Sequence, residues 1–556
     1  MSAATTTAPR TTAGAEKRTS SLTGTGTLLR FMLRRDRIRF PAWALGMTLM
    51  MAYFGNLLPE VWTQEALEGF VAGVGASPFM ALLGGPGFGF DAITLPRFMV
   101  DLYGLYLLLF GALMGILTVS RHTRVEEQSG RAELIRASVV GRHAQLTAAL
   151  TMAVLLSLVT GVLMGVALAF SAMEPEPMSS AFLFAMAVAA CSIAFAGVAA
   201  VTAQLSPFSR AASGMAGAVL GLAYVLRGLG DMSRLQDGPL AWLSWLSPIG
   251  WSQQVAAFVE DRWWPLGLSL LFAAALAASA YWLESRRDLG AGLIAARGGS
   301  PRAAGWLGSP LGLAFRLQRS SLIGWSIVMV VTGVTYGAFG QLMVEGFDDA
   351  PDIMLEMMGG EVNLLNGYMG LMGLMYAIVI AVFAILSVQA LRGEEYSLHT
   401  EPVLATAVGR PAWLLSWTSV TALGALWLLF LAGLGDATGA AVATGRGDLF
   451  WPVLLGHVAH TPAVWLLLAV AVVLYGAVPR LVGLVWLLFA YGAFMSFFGG
   501  TLDMPEAALD LSPFAHIGQH PLEDISWGAV AVLTAAAAVL IAAAAAAFRR
   551  RDLITA

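Results

Sequence analysis

Hydrolysis, metal chemistry and covalent catalysis need particular residues at particular spacings, and this chain offers few. A nucleotide-binding P-loop places a lysine before Ser or Thr so that its charge neutralises phosphate. The only lysine among 556 residues is Lys17, and Arg18 follows it, so the polypeptide contains no P-loop ATPase. The single cysteine, Cys191, stands in an apolar run, which excludes a disulfide framework or a cysteine-rich metal site and makes it a small packing residue. His457 and His460 are three apart and could share a helix face, but the sequence puts no carboxylate beside them, and there is no HExxH. No Ser/His/Asp or Cys/His arrangement can be assembled. The expectation is a chain with no catalytic residues, no metal site and no cofactor of its own.

One polar stretch occurs twice. Glu126 to Arg142 reads EEQSGRAELIRASVVGR, and Glu394 to Arg410 reads EEYSLHTEPVLATAVGR, 268 residues further on. Of 17 aligned positions 8 are identical, where unrelated segments would share about one, so a duplicated unit is expected. On a continuous helix Glu126, Ser129 or Gly130, Glu133 and Ala137 fall on one face, as do Glu394, Ser397, Glu401 and Ala405. Pro402 tilts or interrupts the second copy. A short charged helix present once per half is suited to docking a separate subunit. Solvated loops would not need to keep the acidic residues in both copies.

The elements that position these segments are membrane spans. The chain is 58% hydrophobic and 12% charged, where a soluble protein of this size carries about 25% charged residues. The apolar residues fall in blocks of about 20, the length that crosses a hydrocarbon layer as a helix. The expected spans are 40–58, 98–120, 145–170, 181–203, 212–230 and 265–283, then 321–340, 368–391, 413–434, 455–478, 481–500 and 526–548. The least defined boundary lies at 436–460.

This is an all-α polytopic membrane protein read as twelve transmembrane helices in two parallel six-helix repeats. Its expected parts are a disordered tail (1–26), a first six-helix domain (27–283), a linker (284–312) and a second six-helix domain (313–556). Leu246-Ser247-Pro248 answers to Leu511-Ser512-Pro513, Arg286-Arg287-Asp288-Leu289 to Arg550-Arg551-Asp552-Leu553, and Gly84-Gly85 to Gly359-Gly360.

Of the 31 Lys and Arg residues, 26 fall in the termini and the loops on one side, and only Arg97, Arg227, Arg234, Arg262 and Arg446 lie elsewhere. The positive-inside rule makes that side cytoplasmic, with both termini and both repeated segments on it. Glu345, Asp348, Asp349, Asp352, Glu356 and Glu361 cluster in one outer loop. Leu28 to Phe40 sets Leu29, Met32 and Leu33 against Arg30, Arg34, Arg35 and Arg37, the pattern of a helix lying at the lipid headgroups. Because it abuts a span, the basic patch is read as facing membrane lipid and not nucleic acid.

The pattern Glu-Glu-x-x-(Gly)-x-x-Glu-x-(Leu/Ile)-x-Ala-(Ser/Thr)-x-x-x-Arg after the second span resembles the first intracellular loop of ABC-2 type (type V exporter-like) permeases. The fused twelve-span form is similar to actinobacterial permeases of polyketide-antibiotic (tetronasin-type) exporters, over roughly residues 28 to 556. The resemblance implies that the two repeated segments are coupling helices on two copies of a cytoplasmic ABC ATPase, which would carry the ATP and Mg. Glu126, Glu127, Arg131, Glu133 and Arg142 would make one contact, and Glu394, Glu395, Glu401 and Arg410 the other. Leu398 and His399 replace Gly130 and Arg131, so the two contacts would be inequivalent. Leu28 to Phe40 and Leu313 to Ser321 would be connecting helices, and the second and fifth spans of each half would line the path.

Along that path Tyr103, Tyr106 and Phe110 share a face of the second span, with Met372, Met375 and Tyr376 in its counterpart. Tyr224 corresponds to Phe494, Phe497 and Phe498. Adaptable apolar walls suit a hydrophobic or amphipathic small molecule, though the same residues also suit lipid contact or packing. Arg97 and Asp101, four apart, are expected to pair at the outer end of the second span, and Arg227 lies near the outer end of the fifth. An outer gate or an interfacial anchor fits all three.

The expected function is the permease subunit of an ATP-driven exporter in the plasma membrane, its ATPase supplied in trans. An ion-coupled secondary transporter is the alternative; it needs ionisable groups deep in the membrane, and mid-span positions read as nearly devoid of them. A membrane enzyme of lipid-linked substrates would need clustered carboxylates, for which only the acidic loop is available.

Overall fold

The computed structural model describes residues 20–75, 77–294, 299–346, 364–499 and 504–553, which form helices and no strand. They belong to two compact units, one within Met1–Val71 and Gly75–Gly298, the other within Ala72–Val74 and Gly299–Ala556. Among the described residues eleven helices are long and apolar enough to cross a membrane, as expected of an all-α polytopic membrane protein. The first expected span is helical but not among the eleven. Its helix, Arg39–Val61, carries Arg39, Asn56, Pro59 and Glu60, which dilute its apolar character.

In the first unit α1 (Thr25–Arg35) and α2 (Arg39–Val61) precede two short helices, α3 (Gln64–Phe70) and α4 (Pro78–Leu83). The second span is one run, Leu95–Gln128, assembled from α5 (Leu95–Phe98), a π-helical turn (Met99–Tyr103), α6 (Gly104–His122) and α7 (Arg124–Gln128). Then come α8 (Arg131–Arg136), α9 (Ala144–Ala169), α10 (Met178–Leu205), α11 (Ser209–Leu235), the short α12 (Pro248–Gln253) and α13 (Trp264–Glu284). Of the tail expected through residue 26, residues 20–26 are described and form turns and the start of α1. Gly141 and His143 donate backbone hydrogen bonds to Thr23 and Ser21, and α1 buries Leu28 and Met32 against Ala144, Ala148 and Ala149 of α9. The apolar side of α1 is thus covered by protein: Leu28 joins Met32 as the buried pair, and Leu29 packs half-buried against the same cluster.

The second unit holds α14 (Pro310–Gly346), α15 (Leu364–Tyr396), α16 (Thr400–Leu404), α17 (Arg410–Thr444), α18 (Phe450–Ala459), α19 (Thr461–Ala477), α20 (Val485–Phe498), α21 (Glu506–Leu509) and α22 (Trp527–Arg550). Leu313 to Ser321, expected as a separate connecting helix, forms the first turns of α14, since no breaker separates it from the span. The uncertain region 436–460 resolves into the end of α17, a left-handed Gly445 and the whole of α18. The two Ser-Pro elements share one bond and differ in another. Ser247 accepts from the Ile249 and Gly250 amides and caps α12, whereas Ser512 accepts from the Phe514 amide at 3.3 Å and donates to the Gly492 carbonyl at 3.1 Å. The acidic stretch 348–361, with Gly359-Gly360, lies outside the described residues.

Candidate functional site

The repeated segment of the first unit is not one helix. Gly130 takes a left-handed φ of 74° between α7 and α8, a backbone that favours glycine, and splits the expected common face. Glu126 and Glu127 turn inward on α7. Glu126, buried, bridges to Arg35 at the end of α1 and stands 4.0 Å from Arg131. Glu127 takes both guanidinium arms of Arg287, at 2.6 and 2.8 Å, and Arg124 Nη1 at 2.8 Å. Arg142 donates to the carbonyls of Glu284 and Arg287 at 2.9 and 3.3 Å. Arg131, Glu133, Leu134 and Val139 are exposed. Glu126 and Glu127 therefore brace the segment instead of lying on its outer face, because burial beside Arg35, Arg124 and Arg287 satisfies their charge from within.

The second unit repeats this with a different helix boundary. Glu394 and Glu395 lie in the last turn of α15, and Leu398, at φ 61°, makes the break where Gly130 stands in the first copy. Pro402 falls in the first turn of α16, where its missing N–H costs no helix bond, so it permits this short helix without kinking it. Buried Glu395 accepts from Arg551 at 2.7 Å and from the Tyr475 hydroxyl at 2.6 Å. Arg410 donates to the Arg551 carbonyl at 2.5 Å. Glu394 pairs with His399 at 2.9 Å, and Glu401 is exposed.

In each unit, then, the second glutamate of the repeat holds the second arginine of Arg-Arg-Asp-Leu, and the closing arginine of the repeat binds that arginine's carbonyl. The clamp fastens the loop after the unit's second span to the end of its last span. Sequence reasoning quoted both duplicated motifs but did not join them. Their opposite charge and common duplication were the available signal.

Five charged groups sit at the far end of the first unit. Arg227 is fully buried on α11; it donates to the carbonyls of Ala81, Leu82 and Gly84 at 2.9, 3.0 and 2.8 Å and stands 3.6 Å from Asp231. It thereby caps the carbonyl end of α4, together with Gln253, which donates to the Gly84 carbonyl at 3.0 Å. Arg97 and Asp101 do not pair. The π turn at Met99–Tyr103 rotates them off a common face, so Arg97 Nε donates to the Phe258 carbonyl at 2.9 Å and Asp101 accepts from the Gly87 amide at 2.7 Å. Arg234 packs its guanidinium over the Phe88 ring at 4.2 Å.

In the second unit one of the two histidines does have a carboxylate. Asp436 on α17 reaches His457 Nε2 on α18 at 3.1 Å, and both are fully buried. His457 Nδ1 donates to the Val453 carbonyl at 2.9 Å, which leaves Nε2 turned to the carboxylate. Gly337 of α14 lies so close that a Cβ there would meet the Asp436 carbonyl at 2.2 Å, which seals the pair from that side. The reading of mid-span positions as nearly free of ionisable groups fails here. Asp436 and His457 flank the Gly445 turn in sequence, and each looked like the end of a span.

The aromatic and methionine residues separate into two groups. Tyr106 and Phe110 point outward on α6, and Met375 and Phe494 are likewise exposed. Tyr103 packs into a ring cluster with Phe54 and Phe98, at centroid distances of 4.8 and 5.9 Å. Met372 and Tyr376 are buried, the Tyr376 ring 5.5 Å from that of His457. Tyr224 is half-buried under Arg227, and Phe497 is half-buried. The Phe498 side chain lies outside what is described. The single lining face expected of the second span is thus divided by the same π turn that separates Arg97 from Asp101.

Comparison with known proteins agrees with this architecture. Residues 26–283 and 307–549 match the family described as multidrug efflux system permease Rv1217c, C-terminal domain. The multidrug efflux system permease protein Rv1217c of Mycobacterium tuberculosis (strain ATCC 25618 / H37Rv) is 38% identical over 550 residues, which is 97% of either chain. Two units of apolar helices, each with its repeated polar segment clamped to its last span, are the architecture of a chain that belongs to the multidrug efflux system permease family.

Proposed function

We propose that this chain is the permease subunit of an ABC-2 type exporter in the plasma membrane, moving hydrophobic or amphipathic drug-like compounds, of which polyketide antibiotics are one class. A separate cytoplasmic ABC ATPase, in two copies, supplies the energy and carries the ATP and Mg. Both termini and both repeated segments face the cytoplasm. The outward residues Arg131, Glu133, Leu134 and Val139 form one docking surface, and His399, Glu401 and Pro402 the other. The single observation that carries this reading is the duplicated clamp. A push on either segment is delivered through Glu127–Arg287 or Glu395–Arg551 to the last helix of that unit. Tyr106, Phe110, Tyr224, Met375 and Phe494 are the candidates for contact with substrate, and Arg227 holds the outer end of the first unit closed.

The test is isolation of the tagged chain from its native membrane. A P-loop ATPase should co-purify, and Arg131→Glu with Glu133→Arg and Glu401→Arg should release it. Recovery of the chain alone, with transport intact in vesicles containing no ATPase, would end the proposal. A second reading, ion-coupled transport, is favoured by one observation, the Asp436–His457 pair inside the membrane-spanning region. It predicts transport that a proton uncoupler abolishes and ATP depletion leaves intact.

A further inference from the structure

The second unit contains a cavity of about 430 Å³, between the chain that follows α20 and the junction of α18 with α19. Its rim carries three carboxylates, Glu506, Asp510 and Glu523, and no Lys or Arg lines it. Its walls include Met495 and Phe514, and His460 lines it from the helix junction. We propose that this cavity binds an amphipathic organic cation bearing an N–H donor.

Four features of the cavity define such a ligand. Its volume lies in the range of sites for drug-sized molecules, roughly 300–1,000 Å³. Uncompensated carboxylates at the rim attract positive charge, while a ring and a thioether offer an adaptable apolar surface. His460 supplies the directional element. It is 1% exposed, and its Nδ1 lies 2.8 Å from the Gly456 carbonyl. A carbonyl only accepts, so Nδ1 carries the hydrogen and Nε2 of the neutral ring is a lone-pair acceptor. Among the described residues Nε2 has no hydrogen-bond partner, and an ammonium or arylamine N–H would provide one. A bare metal ion does not suit the site, because among the described residues no three His, Cys, Asp or Glu side chains gather closely enough to hold one.

The cavity is also held in shape. A Cβ on Gly456 would lie 2.4 Å from the His520 carbonyl, and one on Gly370 would lie 2.4 Å from that of Gln519, so the loop seats directly on α18 and α15. Tyr491 donates to the Ala508 carbonyl at 2.7 Å and fixes α21, which carries Glu506. Gln519 N donates to Glu523 at 2.9 Å and fixes the third carboxylate.

This inference rests on the export reading only for the ligand's role as cargo; binding itself does not require it. The test uses the purified full chain in lipid nanodiscs without ATPase. The probes are rhodamine 6G, a fluorescent cation with N–H groups, and Nile red, a neutral apolar dye. The triple variant Glu506→Gln, Asp510→Asn, Glu523→Gln should bind rhodamine 6G at least tenfold more weakly and Nile red unchanged. His460→Phe should weaken rhodamine 6G severalfold at any salt concentration, whereas high salt should weaken it in the unaltered chain and not in the triple variant. Rhodamine 6G affinity within twofold of the unaltered chain in both variants overturns the proposal. If the dye binds as described but is not exported in vesicles supplied with the co-purifying ATPase, the site stands and the export reading falls.

Discussion

Replacing Glu127 by alanine isolates the clamp. The carboxylate receives two bonds from Arg287 and one from Arg124, all between 2.6 and 2.8 Å, and the Gly290 amide at 3.3 Å. The Arg124 and Arg287 side chains are 0% and 4% exposed, so water cannot replace the lost partner. Breaking a buried pair by removing one member costs roughly 3–5 kcal/mol. The lower figure applies here. Arg287 keeps Gln204 Oε1 at 2.6 Å, and Arg124 keeps the carbonyls of Ala203 and Ala291.

At about 3 kcal/mol, local opening of the segment becomes roughly a hundredfold more frequent. Hydrogen exchange read by mass spectrometry should show that acceleration in residues 129–141 and 287–291, with α9 and α10 unchanged. The reversed pair Glu127→Arg with Arg287→Glu should recover much of it. In the second unit Glu395→Ala should have a smaller effect, about tenfold. Arg551 is 11% exposed there and retains the rings of Tyr475 and Phe548, at 5.3 and 5.1 Å. Exchange in Glu127→Ala within threefold of the unaltered chain would refute the clamp.

Arg227→Met removes the donors to three carbonyls and leaves Asp231 buried without a cation; it should cost on the order of 3 kcal/mol or more, and Arg227→Lys should recover part through a single ammonium. The fraction of monodisperse protein after heating measures this, and a Met variant as heat-resistant as the parent would contradict it. Asp436→Asn keeps an amide that can donate to His457 Nε2, whereas Asp436→Leu strands that nitrogen at a cost of about 1–3 kcal/mol. Thermal stability should therefore rank Asn above Leu, and the reverse order would show that the pair is dispensable packing. Gly456→Ala should lose about 1–3 kcal/mol by pushing the His520 carbonyl away, while Gly483→Ala, which meets nothing within 4 Å, should be neutral in the same assay.

What the sequence made legible is what short-range periodicity and composition determine. Met178–Leu205 and Trp264–Glu284 bracket their expected spans within three residues because an apolar block of about 20 has one stable solution in lipid. The site depended on contacts that periodicity does not carry. Glu127 and Arg287 are 160 positions apart, and Glu395 and Arg551 are 156 apart. The π turn that separates Arg97 from Asp101 lies in MVDLY, which carries no breaker. Gly130, read as one more position on a helical face, is where that face ends.

The buried ends of the clamp also change what the repeat means. Glu127 and Glu395 are kept in both copies because each must hold an arginine inside its own unit. The exposed positions are mixed: Ser129/Ser397, Glu133/Glu401 and Ala137/Ala405 are identical, whereas Arg131 against His399, Leu134 against Pro402 and Val139 against Ala407 diverge. An alignment of the two halves therefore keeps the internal bracing and only part of the surface a partner would touch. If two identical ATPase subunits dock here, they meet different chemistry on the two sides. Grafting Arg131 and Leu134 into the second copy, as His399→Arg with Pro402→Leu, should then alter the affinity of one ATPase subunit and leave the other unchanged. Unchanged affinity at both sites in a two-site titration would show that the subunits read the shared residues Glu133 and Glu401 instead.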